Sequence, residues 1–145
     1  MRTKGDFPNI NERQAEGVKL DGTPYRVLVV DDSMFVTKQI QQILTSEGFE
    51  IIGVAVNGEE GVEKYKELHP NVDLVTMDIT MPKMDGVTAL EKIIDFDKEA
   101  TVVMISALGK QDLVKQSLML GAKNYIVKPL DRKKVLERIV NSLKR

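Results

Sequence analysis

The feature that most constrains this chain is an alternation repeated five times. A short apolar run rich in β-branched residues is followed by a segment whose apolar residues return at helical spacing. The first run is Val27-Leu28-Val29-Val30. A run with no polar residue suits a strand covered on both faces, because a strand with one wet face alternates. Further runs lie at 51–56, 72–77, 102–105 and 124–127. Between them, Val36, Ile40, Ile43 and Leu44 recur at helical spacing, with Ser33 placed to cap them. Val62, Tyr65 and Leu68 do the same within 59–68, as do Leu90, Ile93 and Ile94 within 86–95. A helix is predicted over 111–120. A last one opens at a capping Asp131 and carries Val135, Leu136, Ile139, Val140 and Leu143 as its buried stripe. Gly48 and Gly121 stand where a helix end favours a left-handed residue, and Pro70 lies beyond the second helix.

Strands that alternate with helices predict the α/β class, with parallel strands joined by right-handed crossovers and helices on both sheet faces. Five such units make a doubly wound (βα)5 sheet, for which the flavodoxin-like strand order 2-1-3-4-5 is expected. This body takes in 25–145 and leaves no length for a second domain. Residues 1–24 differ in kind. They are polar, with Ile10, Val18 and Leu20 as isolated apolar points, and read as a flexible arm that closes at Thr23-Pro24.

Composition narrows the function classes. Lys and Arg total 21 against 22 Asp and Glu, a net charge of −1, so no overall field favours nucleic acid or an anionic membrane. No cysteine is present, which excludes disulfides and thiolate metal sites. No apolar run approaches the roughly 18 residues needed to span a bilayer, and the N-terminus has no signal-peptide core. A soluble cytoplasmic protein is expected.

In an open α/β sheet, ligands gather at the carboxyl ends of the strands, where the strand order reverses. Here that point lies between strands one and three. Asp31 and Asp32 end the first and Asp78 ends the third. Carboxylates so gathered repel one another, and a hard cation relieves the repulsion. Mg²⁺ prefers oxygen ligands and commonly shares its sphere with phosphate. Ser106 ends strand four and supplies a hydroxyl, while Lys128, ahead of Pro129, ends strand five and supplies an ammonium. A carboxylate nucleophile, a metal site, a hydroxyl and an ammonium suit in-line phosphoryl transfer, in which positioning and charge neutralisation do most of the work.

The stretches Val30-Asp31-Asp32-Ser33, Asp78 to Gly86, Ser106-Ala107 and Lys128-Pro129 resemble response-regulator receiver domains, in the right order and each at the right strand end. The likeness covers about 25–145 and is closest to chemotaxis receivers of the CheY type served by a CheX phosphatase. Such receivers are themselves a standing example of the 2-1-3-4-5 order. The resemblance implies that Asp78 accepts phosphate from a CheA-type histidine kinase. It implies that Asp32 ligates Mg²⁺ directly, Asp31 through water, and Thr80 through its backbone carbonyl. Ser106 and Lys128 are implied to bind phosphate oxygens, Tyr125 to be the aromatic switch, and the Lys128-Pro129 peptide to be cis. It further implies a monomer whose face of helix four, strand five and helix five binds the flagellar motor switch protein FliM. Thr80 and Leu108 occupy the positions that tune phosphate lifetime in the family, and Leu108 has no group to orient an attacking water. His69, the single histidine, is given no role.

Three rival readings stand beside this one. A phosphorelay shuttle would use the same site and pass its phosphate to a histidine phosphotransfer protein. A hydrolase of the haloacid dehalogenase class would want a second Asp where Thr80 stands. A flavin carrier would want a phosphate-cradling loop where Asp31 and Asp32 stand.

Overall fold

The structure, a computed structural model, describes residues 15–143. The elements alternate strictly: β1 (Arg26–Val30), α1 (Met34–Thr45), β2 (Glu50–Ala55), α2 (Gly58–Leu68), β3 (Leu74–Asp78), α3 (Gly86–Phe96), β4 (Val102–Ser106), α4 (Gln111–Met119), β5 (Asn124–Val127) and α5 (Arg132–Ser142). The five strands form one parallel sheet in the order β2-β1-β3-β4-β5, as the alternation predicts.

The absence of polar alternation in the strands has a direct cause. Successive strand residues point to opposite faces, and here both faces are covered. Leu28, Val30, Val75, Met77, Val102 and Met104 face a core shared with α2, α3 and α4. Their neighbours Val27, Val29, Leu74, Val103 and Ile105 face a second core shared with α1 and α5, where Ile40, Leu44, Val135 and Ile139 are buried. The three central strands thus carry apolar residues at most positions, with polar residues mainly at their ends.

Local differences from the sequence reading are few. β3 begins at Leu74 rather than at 72 and takes in Asp78, because the Arg26 amide is satisfied by the Asp73 side chain at 2.8 Å and Asp73 donates its own N–H to Arg26 at 2.8 Å. Ser33 caps α1 through the Val36 amide. Asp131 stands at the N-cap of α5, but its side chain makes no capping bond, and its contribution is the carbonyl that accepts from Val135 at 2.9 Å. Gly48 and Gly121 both have positive φ. The Lys128-Pro129 peptide is cis, as is His69-Pro70.

The arm read as 1–24 divides at residue 15. Residues 1–14 lie outside the described residues. From Ala15 on, the chain runs along the body: Gly17 N–H bonds Glu47 O at 2.7 Å, Tyr25 N–H bonds Gly17 O at 2.8 Å, and Val18 bridges Pro24.

Candidate functional site

The sheet register brings the acidic residues together. Val30 pairs with Met77, so Asp31 and Asp78 are the next positions on two neighbouring strands. Asp31 donates its N–H to Ala55 O at 3.0 Å, and Ile79 donates to Ile105 O at 3.0 Å, which fixes both strand ends. Carboxylate oxygens of Asp31, Asp32 and Asp78 all lie within 4.8 Å of one another. The Asp31 side chain has 0% exposure and that of Asp78 6%, whereas Asp32 is exposed at the rim.

Lys128 enters from β5. Its Nζ lies 3.4 Å from Asp78 Oδ1 and 4.0 Å from Asp31 Oδ2. Asp31 Oδ1 accepts the Ser33 amide at 2.8 Å. Asp31 Oδ2 is buried with no hydrogen-bond partner. An orphaned carboxylate oxygen beside two further carboxylates is costly as it stands, and a hard cation would relieve that cost. The all-oxygen donor set fits Mg²⁺.

The electrostatics agree with the geometry. Burial, then the charge of Asp31, push the Asp78 carboxyl up to about 6, while Lys128 pulls the other way. Asp31 is raised chiefly by burial, against the Ser33 amide and Lys128. These are the signatures of groups whose charge calls for a partner.

The remaining expected residues stand on neighbouring segments. Ser106 is buried at the end of β4, and its hydroxyl donates to Ala107 O at 2.8 Å. Thr80 is exposed, one residue past the Ile79 backbone bond. Tyr125 is half-buried, with the Arg138 guanidinium 4.7 Å over its ring. Ser106 and Tyr125 share one groove of ≈ 250 Å³ with Leu108, Val114 and Val127. His69 sits apart, in a cluster with Tyr65, Phe96 and Asp97.

Sequence reasoning passed over the glycines that hold the loop after Asp78. A Cβ on Gly86 would overlap the Asp78 carbonyl oxygen, and one on Gly58 would overlap Met84 O. Gly58 N–H bonds Met84 O at 3.0 Å, and Gly86 N–H bonds Ile79 O at 2.7 Å. The loop after Asp78 is thereby tied to the starts of α2 and α3. Glycine in the first position of two helices, where better helix formers are available, was the signal.

Comparison with known proteins agrees with this geometry. Residues 27–140 match the response regulator receiver domain. The chain is 72% identical to a chemotaxis protein CheY of Treponema pallidum over 144 residues, which is 99% of this chain and 100% of that one. It is 50% identical to CheY of Bacillus subtilis over 119 residues, 82% of this chain and 98% of that one. Among solved structures, the CheX–CheY–BeF3–Mg²⁺ complex from Borrelia burgdorferi is similar with a TM-score of 0.85 and 60% identity, covering 88% of this chain and 96% of that one. Among the described residues, no helix is long and apolar enough to cross a membrane.

Proposed function

Because the chain belongs to the response regulator receiver family, in its chemotaxis CheY type, we propose that Asp78 is a phospho-acceptor whose state is displayed on the α4–β5–α5 face. The observation that carries this reading is the convergence of Asp31, Asp32, Asp78 and Lys128 at one end of the sheet. Asp31, Asp32, Asp78 and the Thr80 carbonyl would hold Mg²⁺, which when bound neutralises the carboxylates and the incoming phosphoryl oxygens.

An ionised Asp78 oxygen attacks the phosphorus of a phosphohistidine. The N–P bond breaks, the O–P bond forms, and the imidazole leaves with its electron pair. Lys128 gives up part of its contact with Asp78 and bonds a phosphoryl oxygen. Ser106 turns its hydroxyl from Ala107 O to another. The groove shared with Tyr125 then opens inward and the ring fills it, so that α4 and β5 present a different surface. The change is a population shift, driven by contacts that exist only when the phosphoryl group is present. Hydrolysis of the acyl phosphate reverses it, so the only chemistry of this protein is its own phosphorylation and dephosphorylation.

The partners that fit are a CheA-type kinase, the flagellar motor switch protein FliM and a CheX-type phosphatase, in the cytoplasm. Support comes from the high identity to chemotaxis receivers and from a similar structure that is itself a CheX complex. The reading is tested by offering the phosphorylated protein a motor-switch peptide and a set of histidine phosphotransfer domains. Phosphorylation-dependent capture by the peptide is expected. Rapid loss of the phosphoryl group to a phosphotransfer domain, without peptide binding, would replace this reading with that of a relay shuttle.

A further inference from the structure

Three acidic side chains are buried among the described residues: Asp31, Asp78 and Glu47. The first two belong to the acceptor crevice. Glu47 does not, and a buried carboxylate is costly unless it is paired and hydrogen-bonded. Its side chain is 6% exposed, and Oε2 lies 3.1 Å from the Arg132 guanidinium. Its Oε1 accepts the backbone N–H of Glu16 at 3.0 Å. Arg132 also donates to Ser46 Oγ at 2.6 Å. One carboxylate therefore joins the arm, the α1–β2 turn and the first residue of α5. Arg132 stands four residues beyond Lys128, whose Nζ reaches Asp78.

The arm is seated closely. A Cβ on Gly17 would overlap the Phe49 ring edge and its amide nitrogen, and one on Gly48, at φ +88, would come 2.9 Å from Val18 Cγ2. Two glycines thus let the arm backbone approach the α1–β2 turn. The Bacillus subtilis relative is matched over 98% of its length by 119 of these 145 residues.

We propose that the Glu47 junction couples docking of the arm to the state of the phospho-acceptor site. This rests on the reading of Asp78 as acceptor. When Lys128 is drawn to a phosphoryl group, segment 128–132 is fixed at one end by the phosphate and at the other by Glu47. Tightening the Arg132 contact orders the same carboxylate that receives the Glu16 amide, so an occupied site favours a docked arm. By linkage, a docked arm favours an occupied site to the same degree.

The test is amide hydrogen exchange on the full chain, with and without beryllofluoride and Mg²⁺ as the acyl-phosphate probe. Exchange at Glu16 and Gly17 should slow by roughly five-fold or more as the site saturates, and Glu47→Gln should bind the probe yet lose that response. Exchange at those amides that is unchanged or faster while the acceptor region shows saturation would overturn the coupling, as would a full response in Glu47→Gln. Failure of the wild type to bind the probe at all would instead remove the acceptor reading, and the coupling with it.

Discussion

Asp78 carries the largest electrostatic tension in the crevice. Its carboxyl is raised from 3.8 to about 6 by burial and by Asp31. Between those two values the folded state holds a proton that the unfolded state has released, so stability falls as pH rises through that window and stays low above it. The cost at neutral pH is on the order of 3 kcal/mol. Asp78→Asn should therefore stabilise the metal-free protein at pH 7.5, and its melting temperature should decline less than that of the wild type between pH 4 and 7, the remaining decline coming from Asp31. An equal decline in both would show that the burden lies elsewhere. Lys128 is the second decisive residue. Lys128→Arg keeps the charge but replaces a point donor with a planar fork. It should still bind beryllofluoride, yet give several-fold weaker motor-switch binding; undiminished peptide binding would separate Lys128 from the switch. The identities of these residues were legible because each falls at a strand end. Their tension was not, because burial depth depends on what packs above the site.

At the scale of elements, the loop after Asp78 is held by backbone proximity more than by side chains. Gly86 leaves no space for a Cβ beside the Asp78 carbonyl, so Gly86→Ala must move backbone and should destabilise by about 3 kcal/mol or more in urea unfolding. Asp85, which caps α3 through the Thr88 amide at 2.8 Å, should cost only about 1 kcal/mol when replaced by Ala. Similar losses for the two would mean that the loop relaxes more easily than its contacts indicate. The elements themselves were readable from periodicity, since helix and strand patterns rarely coincide over such lengths. Asp131 shows the limit. A capping residue type at the right place predicts a side-chain bond, but here the carboxylate is exposed and the backbone alone starts the helix. Residues 15–24 show another. Gly17 and Val18 meet Glu47 and Gly48 about thirty positions along the chain, and a contact of that span leaves no periodic trace.

For the whole molecule, the two cores on either side of one parallel sheet make a platform that carries Asp31, Asp32 and Asp78 at the carboxyl ends of β1 and β3. Strand order was inferable from the unbroken alternation, and the meeting of Asp31 and Asp32 with Asp78 followed from it, because that order sets β1 beside β3. Because the cluster is costly when bare, cation binding and folding are linked. Mg²⁺ at about a hundred times its dissociation constant should add about 2.7 kcal/mol, a rise of roughly 5–10 °C in melting temperature. The gain should fade below about pH 6 as Asp78 takes up its proton. A gain that persists unchanged at pH 4.5 would place the ion elsewhere. The most direct measurement of all is chemical: incubation with acetyl phosphate and Mg²⁺, followed by mass-spectrometric mapping of the modified residue. The account predicts one phosphoryl group, on Asp78, that fails to form when Mg²⁺ is chelated beforehand and is absent from Asp78→Asn. Undiminished labelling of Asp78→Asn, or a modified residue outside this crevice, would contradict it.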